Sequence, residues 1–264
     1  MSASLHTHIA QAKEQYDRDG YAIFRNVLDM NLIAEARRHI TWLMEQNPHL
    51  RPEQFHHPLM RNDPFWVRLV SDERLLDIAD LFIGPNIALF SSHYISKPPR
   101  DGQAVLWHQD GSYWPLEPMN VVTLWLAVDD STAENGCMRV IPGTQHFELQ
   151  PMQENKNVAN VLESQIDPAF VDEQAAVNIE LRAGDVSVHH PNVIHGSNAN
   201  TSERRRCGLT IRYIPTSTRV TNADFFENLF LMRGTPVSGV NEYRPFPRYA
   251  PDKHMEFAGC QSWS

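Results

Sequence analysis

The spacing of apolar residues changes near residue 86 and divides the chain into two parts. Before this point apolar residues recur three to four positions apart, which predicts helices over 5–18, from Asp29 as N-cap to about residue 46, and over 64–82. Gly84-Pro85 is a helix stop signal. The apolar run 21–24 predicts a short strand, and the Pro- and His-containing segment 47–63 predicts a loop.

After residue 86 the pattern is typical of strands. Apolar or alternating runs occupy 87–96, 121–128, 137–142, 177–181, 185–189, the neighbourhood of 194, and 209–214. The polar segment 150–175 has weak helical stretches and is interpreted as an insertion or lid, and the last fifty residues show little periodicity. Helices followed by many strands predict a mainly β fold with flanking helices, a sandwich or double-sheet barrel. We expect one domain over 1–264, with a helical flank to about 85, a core over 86–215 and a cover over 216–264.

Composition and charge narrow the function classes. The 264 residues are 42% hydrophobic and 21% charged, as in ordinary globular proteins, and the net charge of −9 argues against nucleic acid or an anionic membrane as a partner. Three cysteines without CxxC spacing argue against a disulfide framework or a cysteine zinc site. No apolar segment reaches 18 residues, and Met1 to His6 lack the features of a signal peptide, so we expect a reducing cytoplasm.

The richest stretch for chemistry is the run from Trp107 to Pro115, which contains His108-Gln109-Asp110. In an extended strand, positions i and i+2 point to the same face, so His108 and Asp110 would converge. Two His and one carboxylate form the facial triad that holds non-haem Fe(II) with open coordination positions. His195 is the best candidate for the second His, in competition with His189 and His190.

A cation follows the candidate His195 after eleven residues. Arg206 could bind a carboxylate bidentately, and it competes with Arg204, Arg205 and Arg212 for this role. If this segment is a strand, alternation places Arg204 and Arg206 on one side, which makes Arg205 the weakest competitor. An iron site with three open positions could take the keto and carboxylate oxygens of a 2-oxo acid together with O2, while the arginine takes a distal carboxylate.

Several sequence blocks in order resemble a known family. The blocks are Phe82-Ile83-Gly84-Pro85-Asn86-Ile87, Ser96-Lys97-Pro98-Pro99, Trp107-His108-Gln109-Asp110, the run from Glu134 to Thr144, and His195-Gly196-Ser197. With them the chain resembles the phytanoyl-CoA hydroxylase family of Fe(II)/2-oxoglutarate oxygenases, which also includes ectoine hydroxylases. The resemblance implies a double-stranded β-helix, a cupin-like jelly roll of two sheets. It also implies Fe(II), 2-oxoglutarate and O2 as cofactor and cosubstrates, and a small-molecule substrate.

The resemblance also implies roles for individual residues. His108, Asp110 and His195 match the iron ligands, and Arg206 and Ser197 match residues that bind the distal carboxylate of 2-oxoglutarate. Trp125 matches an aromatic residue of the cosubstrate pocket, and His93 falls where the family has another cosubstrate contact. Trp114 matches an aromatic residue of the substrate pocket. His56 falls beside that pocket, near a basic residue that touches cosubstrate, and departs from the family's Lys.

The sequence therefore predicts a dioxygenase that hydroxylates a C–H bond of a small molecule and releases succinate and CO2. The alternative is a jelly-roll protein without redox chemistry, which binds a metal or a sugar, or a cupin-type isomerase. Arg206 favours the dioxygenase over this alternative, because a site without a 2-oxo acid has no need for a cation near the metal. The carboxylate of Asp110 argues against halogenation, which requires a small residue at this position to leave room for a halide.

Overall fold

The helices flank the protein at its N-terminal side. The computed structural model describes residues 3–263, with side chains from residue 10 onward, so the outermost residues of the predicted domain 1–264 lie outside the described part. The α-helices are α1 (Ala3–Asp19), α2 (Met30–Gln46), α3 (His57–Met60), α4 (Pro64–Val70) and α5 (Glu73–Ile83). Helix α2 confirms its predicted boundaries: the Asp29 carboxylate accepts the N–H groups of Asn31 and Leu32.

Two predictions for this flank are wrong. The single helix predicted over 64–82 is two helices, because Asp72 caps α5 by accepting the N–H of Arg74, just as Asp63 caps α4 by accepting the N–H of Trp66. The loop predicted over 47–63 contains α3 and a short strand, β2 (Phe55–His56). None of the helices within residues 3–263 is long and apolar enough to cross a membrane.

A large antiparallel sheet forms the base of the molecule. Its strands, in spatial order, are β1 (Tyr21–Phe24), β11 (Val186–His189), β6 (Val122–Ala127), β13 (Arg206–Pro215), β3 (Ile87–Lys97) and β15 (Phe230–Arg233), and β2 also pairs with β3. Strands β1, β2 and β15 come from outside the predicted core 86–215. The strand β15 was not predicted, because the tail lacks a local apolar period.

A smaller antiparallel sheet faces the large one. Its order is β10 (Val177–Ile179), β7 (Met138–Val140), β12 (His195–Ser197) and β4 (Val105–His108). Two short antiparallel pairs complete the strands: β5 (Leu116–Glu117) with β14 (Arg219–Val220), and β8 (Gln153–Glu154) with β9 (Ser164–Gln165). The pair β8–β9 lies in the predicted insertion 150–175. The mainly antiparallel architecture with flanking helices confirms the predicted fold class.

Strand β6 shows how the large sheet separates two interiors. Leu124 and Leu126 point to the helices and join the large apolar core there, whereas Trp125 and Ala127 point to the smaller sheet and join the core between the sheets. Every residue of β6 is buried, which explains its continuous apolar run. The face between the sheets also carries polar residues such as Thr123, and these surround the site described next.

Candidate metal centre

Two adjacent strands of the small sheet bring three ligand groups together. Strand β4 ends at His108 and Asp110 begins a 3-10 turn, so the predicted extended strand through Asp110 is wrong. Gln109 between them is extended, and His108 Nε2 still lies 3.5 Å from Asp110 Oδ1. His195, at the start of β12, pairs with His108 across the sheet, and its Nε2 lies 4.0 Å from the same oxygen.

Backbone carbonyls orient both imidazoles. His108 Nδ1 lies 2.8 Å from the Leu106 carbonyl oxygen, and His195 Nδ1 lies 3.0 Å from that of Val193. Each Nδ1–H therefore donates to a carbonyl, which leaves the lone pair of each Nε2 directed at Asp110 Oδ1. Burial lowers the pKa of His195 well below its usual value, so this ring is neutral at pH 7. The ligand atoms of the three residues lie within 4.8 Å of one another, a set that could hold one metal ion.

The second oxygen of Asp110 contacts three residues of the large sheet. Asp110 Oδ2 lies 3.5 Å from Thr123 Oγ1, 3.4 Å from His189 Nε2 and 3.6 Å from Arg212 Nη2. These three residues are neighbours across β6, β11 and β13. Burial alone would raise the pKa of Asp110, but the charge of Arg212 and the hydrogen bond from His189 hold it well below its usual value. The carboxylate is thus ionised and fixed, with Oδ1 facing the two imidazoles.

Gln109 holds the turn from the opposite side. Its side chain is fully buried, and its amide nitrogen donates to the Asn192 carbonyl at 2.8 Å. Its amide oxygen accepts the backbone N–H of Gln150 at 2.8 Å. Asn192 lies three residues before His195, so Gln109 connects the His108–Asp110 turn to the segment that leads into the third ligand group.

The competing histidines, His189 and His190, make other contacts. His189, on β11, contacts Asp110 Oδ2 rather than the oxygen that faces the other imidazoles. His190 lies outside the cluster, where its Nδ1 accepts the N–H of Asn192 and its ring packs against Tyr16. The ligand atoms of His195, and of neither competitor, cluster with those of His108 and Asp110, although His189 contacts the second oxygen of Asp110.

One end of the cavity, beyond the triad, is lined by the buried cation Arg206 and is called the cationic end. Arg206 is 2% exposed and donates to the Gly136 carbonyl through Nε and Nη2, at 3.1 and 2.8 Å. Its Nη2 lies 3.4 Å from Ser197 Oγ, and Lys97 Nζ donates to the same oxygen at 2.7 Å. Burial lowers the pKa of Arg206 to about 10, so the guanidinium stays charged at pH 7. Burial, and then repulsion from Arg206, lowers the pKa of Lys97 well below its usual value.

The other candidate arginines do not reach this end. Arg204 forms an exposed ion pair with Glu134, and Arg205 forms an ion pair with Asp129 outside the space between the sheets. Strand β13 begins at Arg206 and its alternation places Arg212 on the same side. Arg212 does line the cavity, but next to Asp110, away from Ser197.

Trp125 packs beneath the Arg206 guanidinium, whose central carbon lies 5.2 Å from the ring centroid. The indole reaches this position by crossing Gly208 of the neighbouring strand. A Cβ at Gly208 would lie 1.9 Å from the ring, so only glycine leaves room for it. Glycine at this position therefore leaves the space in which the indole packs against the Arg206 guanidinium.

The remaining candidates, His93, His56 and Trp114, line the same cavity. His93 is buried, and its Nε2 lies 2.6 Å from the Glu53 carbonyl oxygen. His56 pairs with His93 across strands β2 and β3, and the two rings lie 3.9 Å apart. Trp114 packs against the Arg212 guanidinium at 5.1 Å. The cavity has a volume of about 160 Å³.

Three neighbours of the site have roles that the sequence does not predict: Lys97, Arg212 and Thr123. Lys97 lies in the block Ser96-Lys97-Pro98-Pro99, which predicts no role for it, since its burial beside Ser197 depends on the pairing of β3 with β13. Arg212 was weighed only as a competitor of Arg206, although alternation along β13 from Arg206 would have placed it on the cavity face. Thr123, inside the apolar run of β6, carried no signal of its own.

Comparisons with known proteins agree with this arrangement. The family described as phytanoyl-CoA dioxygenase (PhyH) matches residues 16–208. An L-proline trans-4-hydroxylase from Streptomyces griseoviridis is 29% identical over 83% of this chain and 90% of the relative. A peroxisomal phytanoyl-CoA dioxygenase from Bos taurus is 32% identical over 53% of this chain, and the match spans only 43% of that longer relative.

Solved structures confirm the jelly-roll fold. The apo form of the non-heme monooxygenase ThoJ superposes with a TM-score of 0.75, at 24% identity, over 89% of this chain and 87% of that one. The match to the family extends from α1 to Gly208 at the start of β13 and includes all three metal-binding candidates. The chain belongs to the phytanoyl-CoA dioxygenase family and is an Fe(II)- and 2-oxoglutarate-dependent dioxygenase.

Proposed function

We propose that this dioxygenase hydroxylates a C–H bond of a small molecule at the centre formed by His108, Asp110 and His195. The observation that carries the proposal is that one cavity contains both this triad and the buried pair Arg206 and Ser197. A metal site and a separate carboxylate site in one cavity suit a 2-oxo dicarboxylic acid. Bound iron, with 2-oxoglutarate and O2, supplies the oxidising power, while CO2 and succinate leave.

The three ligand residues hold the metal from one side. His108 and His195 offer the lone pairs of their Nε2 atoms, and Asp110 offers one oxygen, because its other oxygen contacts Thr123, His189 and Arg212. This donor set suits Fe(II), and the cavity side of the metal stays free for cosubstrate and O2.

At the cationic end, Arg206 and Ser197 bind the distal carboxylate of 2-oxoglutarate. Two Arg206 nitrogens donate to Gly136, so the guanidinium is oriented before the cosubstrate arrives. Burial of this end excludes water, which strengthens the charge-assisted hydrogen bonds to the carboxylate. Lys97 supports the same end by donating to Ser197 Oγ, and Trp125 packs under Arg206.

The substrate enters at the open side of the cavity. Trp114, Tyr113 and His56 line this side together with Leu162 of the segment 150–175. The Streptomyces relative, whose name states L-proline as substrate, matches most of both chains, so free amino acids are the first compounds to test. His93 lies between the two regions and contacts cosubstrate or substrate.

The test measures succinate formation by the Fe(II)-loaded protein with 2-oxoglutarate and a panel of amino acids, followed by mass spectrometry under labelled O2. We expect one succinate per turnover and a product heavier by one oxygen atom that derives from O2. The variant Asp110→Ala is the control and should release none. A chlorinated product in the presence of chloride would contradict hydroxylation, and the absence of succinate with every compound would contradict an amino acid substrate.

The alternative is a jelly-roll protein without redox chemistry. The buried charge of Arg206 beside the metal site argues against it, because an unpaired buried guanidinium is costly unless an anion binds there. Binding of metal and 2-oxoglutarate without O2-dependent succinate release would favour this alternative.

We also propose a reducing compartment, the cytoplasm, for this protein. Its three cysteines, Cys137, Cys207 and Cys260, are all buried and free. Oxidative labelling of the native protein should leave them as thiols, and a disulfide in protein isolated from its source would contradict this location.

A further inference from the structure

A second arginine lines the cavity at the end opposite to Arg206. Both side chains lie on the cavity face of β13, and their backbone positions, six residues apart, are separated by roughly 20 Å along the strand. Arg206 contacts Ser197, whereas Arg212 lies beside Asp110. The triad therefore lies between two arginines, of which the proposed reaction uses only Arg206 for the cosubstrate.

Arg212 has few partners for its five N–H groups. Its Nη1 donates to Thr210 Oγ1 at 2.9 Å, and its Nη2 lies 3.6 Å from Asp110 Oδ2, longer than a good hydrogen bond. Its Nε is buried without a partner among the described residues. Trp114 covers one face of the guanidinium at 5.1 Å. The edge of the guanidinium thus retains donors that an anion could use.

Arg212 shares its nearest counterion, Asp110, with the metal site. Of the described residues that line the cavity, Asp110 is the only acid, and Arg206 and Arg212 are the only Arg or Lys. Bound Fe(II) and the 2-oxoglutarate dianion cancel in formal charge, and so do Asp110 and Arg206. One positive charge remains, at Arg212, where it is only 12% exposed. Buried charges are normally paired, so an anion from the substrate would complete the site.

We propose that Arg212 binds a carboxylate of the substrate, so that the enzyme acts on a compact carboxylic acid. The inference rests on the proposed function, because it takes the triad as the reacting centre. Since Arg212 Nη2 lies 3.6 Å from a ligand residue, the oxidised carbon lies only a few bonds from the carboxylate. Trp114 and His56 then contact the carbon skeleton. Long acyl thioesters, which lack a carboxylate at this distance from the oxidised carbon, are excluded as substrates.

The test compares acids with their amides in the absence of turnover. Calorimetry on Mn(II)-loaded protein with 2-oxoglutarate under nitrogen measures the affinity for each free L-amino acid and its carboxamide. At least one acid should bind, and its amide should bind about 30-fold more weakly or worse, as for the loss of one side of a buried charge pair. Arg212→Gln should remove this preference, Arg212→Lys should retain part of it, and Arg205→Gln, on the outer ion pair with Asp129, should leave it unchanged.

Two further measurements separate substrate binding from support of Asp110. The 2-oxoglutarate affinity of Arg212→Gln should stay within a few-fold of the unmodified protein, because Arg206 binds that cosubstrate at the other end of the cavity, and the Mn(II) affinity of the variant measures how far Arg212 supports Asp110. The proposal is overturned if no acid binds, if acid and amide bind equally, or if the Arg212→Gln defect appears in 2-oxoglutarate affinity instead. Succinate release by Fe(II)-loaded protein reports on the proposed function independently: an acid preference without succinate would refute hydroxylation alone.

Discussion

Replacing Arg206 by alanine tests how the protein recognises its cosubstrate. Arg206 is almost fully buried, and its guanidinium already donates to the Gly136 carbonyl and reaches Ser197. Truncating one side of a buried charge pair costs roughly 2–5 kcal/mol. The affinity for 2-oxoglutarate in Arg206→Ala should therefore fall by about 30-fold to several thousand-fold.

A second cosubstrate isolates the interaction. The five-carbon acid 2-oxopentanoate has the same chain length as 2-oxoglutarate and lacks the distal carboxylate. The unmodified protein should bind 2-oxoglutarate about 30-fold to several thousand-fold more tightly than 2-oxopentanoate. In Arg206→Ala this preference should shrink to a few-fold, because the group that binds the distal carboxylate is absent. Initial rates of CO2 release and calorimetry on Mn(II)-loaded protein both measure it.

The control is Arg205→Ala, whose side chain pairs with Asp129 outside the cavity and should leave the preference intact. The rival cation is Lys97, which donates to Ser197 Oγ at 2.7 Å. A preference that survives in Arg206→Ala and disappears in Lys97→Met would refute the assignment and move the role to Lys97.

Three further predictions concern the metal, the packing and the effect of acid. His195→Ala should abolish Fe(II) binding while His190→Ala retains it, as measured by equilibrium dialysis; the reverse result would identify His190 as the ligand. Gly208→Ala should lower the midpoint of thermal unfolding, with a cost of roughly 1–3 kcal/mol, because its methyl group would displace the Trp125 indole. Burial lowers the pKa of His57 to about 3, so below pH 6.5 the unfolded chain binds a proton that the folded chain does not. Stability should fall by about 1.4 kcal/mol per pH unit for this group, and urea unfolding of His57→Phe should show a smaller loss between pH 6.5 and pH 5.

Boundaries with local causes were predictable from sequence. Asp29 caps α2 with its own carboxylate, and strand β1 ends where the apolar run ends. The break between α4 and α5 was missed although Asp72 is a capping residue, because the apolar period continues across it. Strand β15 was beyond reach, since Phe230 pairs with Leu89, which lies far away in sequence.

The candidate site was likewise predictable from sequence only where its residues lie close together along the chain. The ligand candidates were recognisable because His-x-Asp is local and the block around His195 resembles that of a family. Its surroundings were not, because Lys97 lies beside Ser197 through strand pairing, and Thr123 reaches Asp110 from another sheet. Such neighbours are set by register, which no single segment of the sequence specifies.

Gln109 changes what the His-x-Asp signature means in this chain. A motif search accepts any residue at the middle position. In this chain its side-chain amide donates to the Asn192 carbonyl and accepts the N–H of Gln150, which lie in separate loops. A hydrophobic residue there would leave both backbone groups unpaired in the interior. The two candidate ligands, His108 and Asp110, would therefore not reproduce the centre if they alone were transplanted into another barrel. The middle residue, which a motif search ignores, is the one that aligns the turn with the strand that begins at His195.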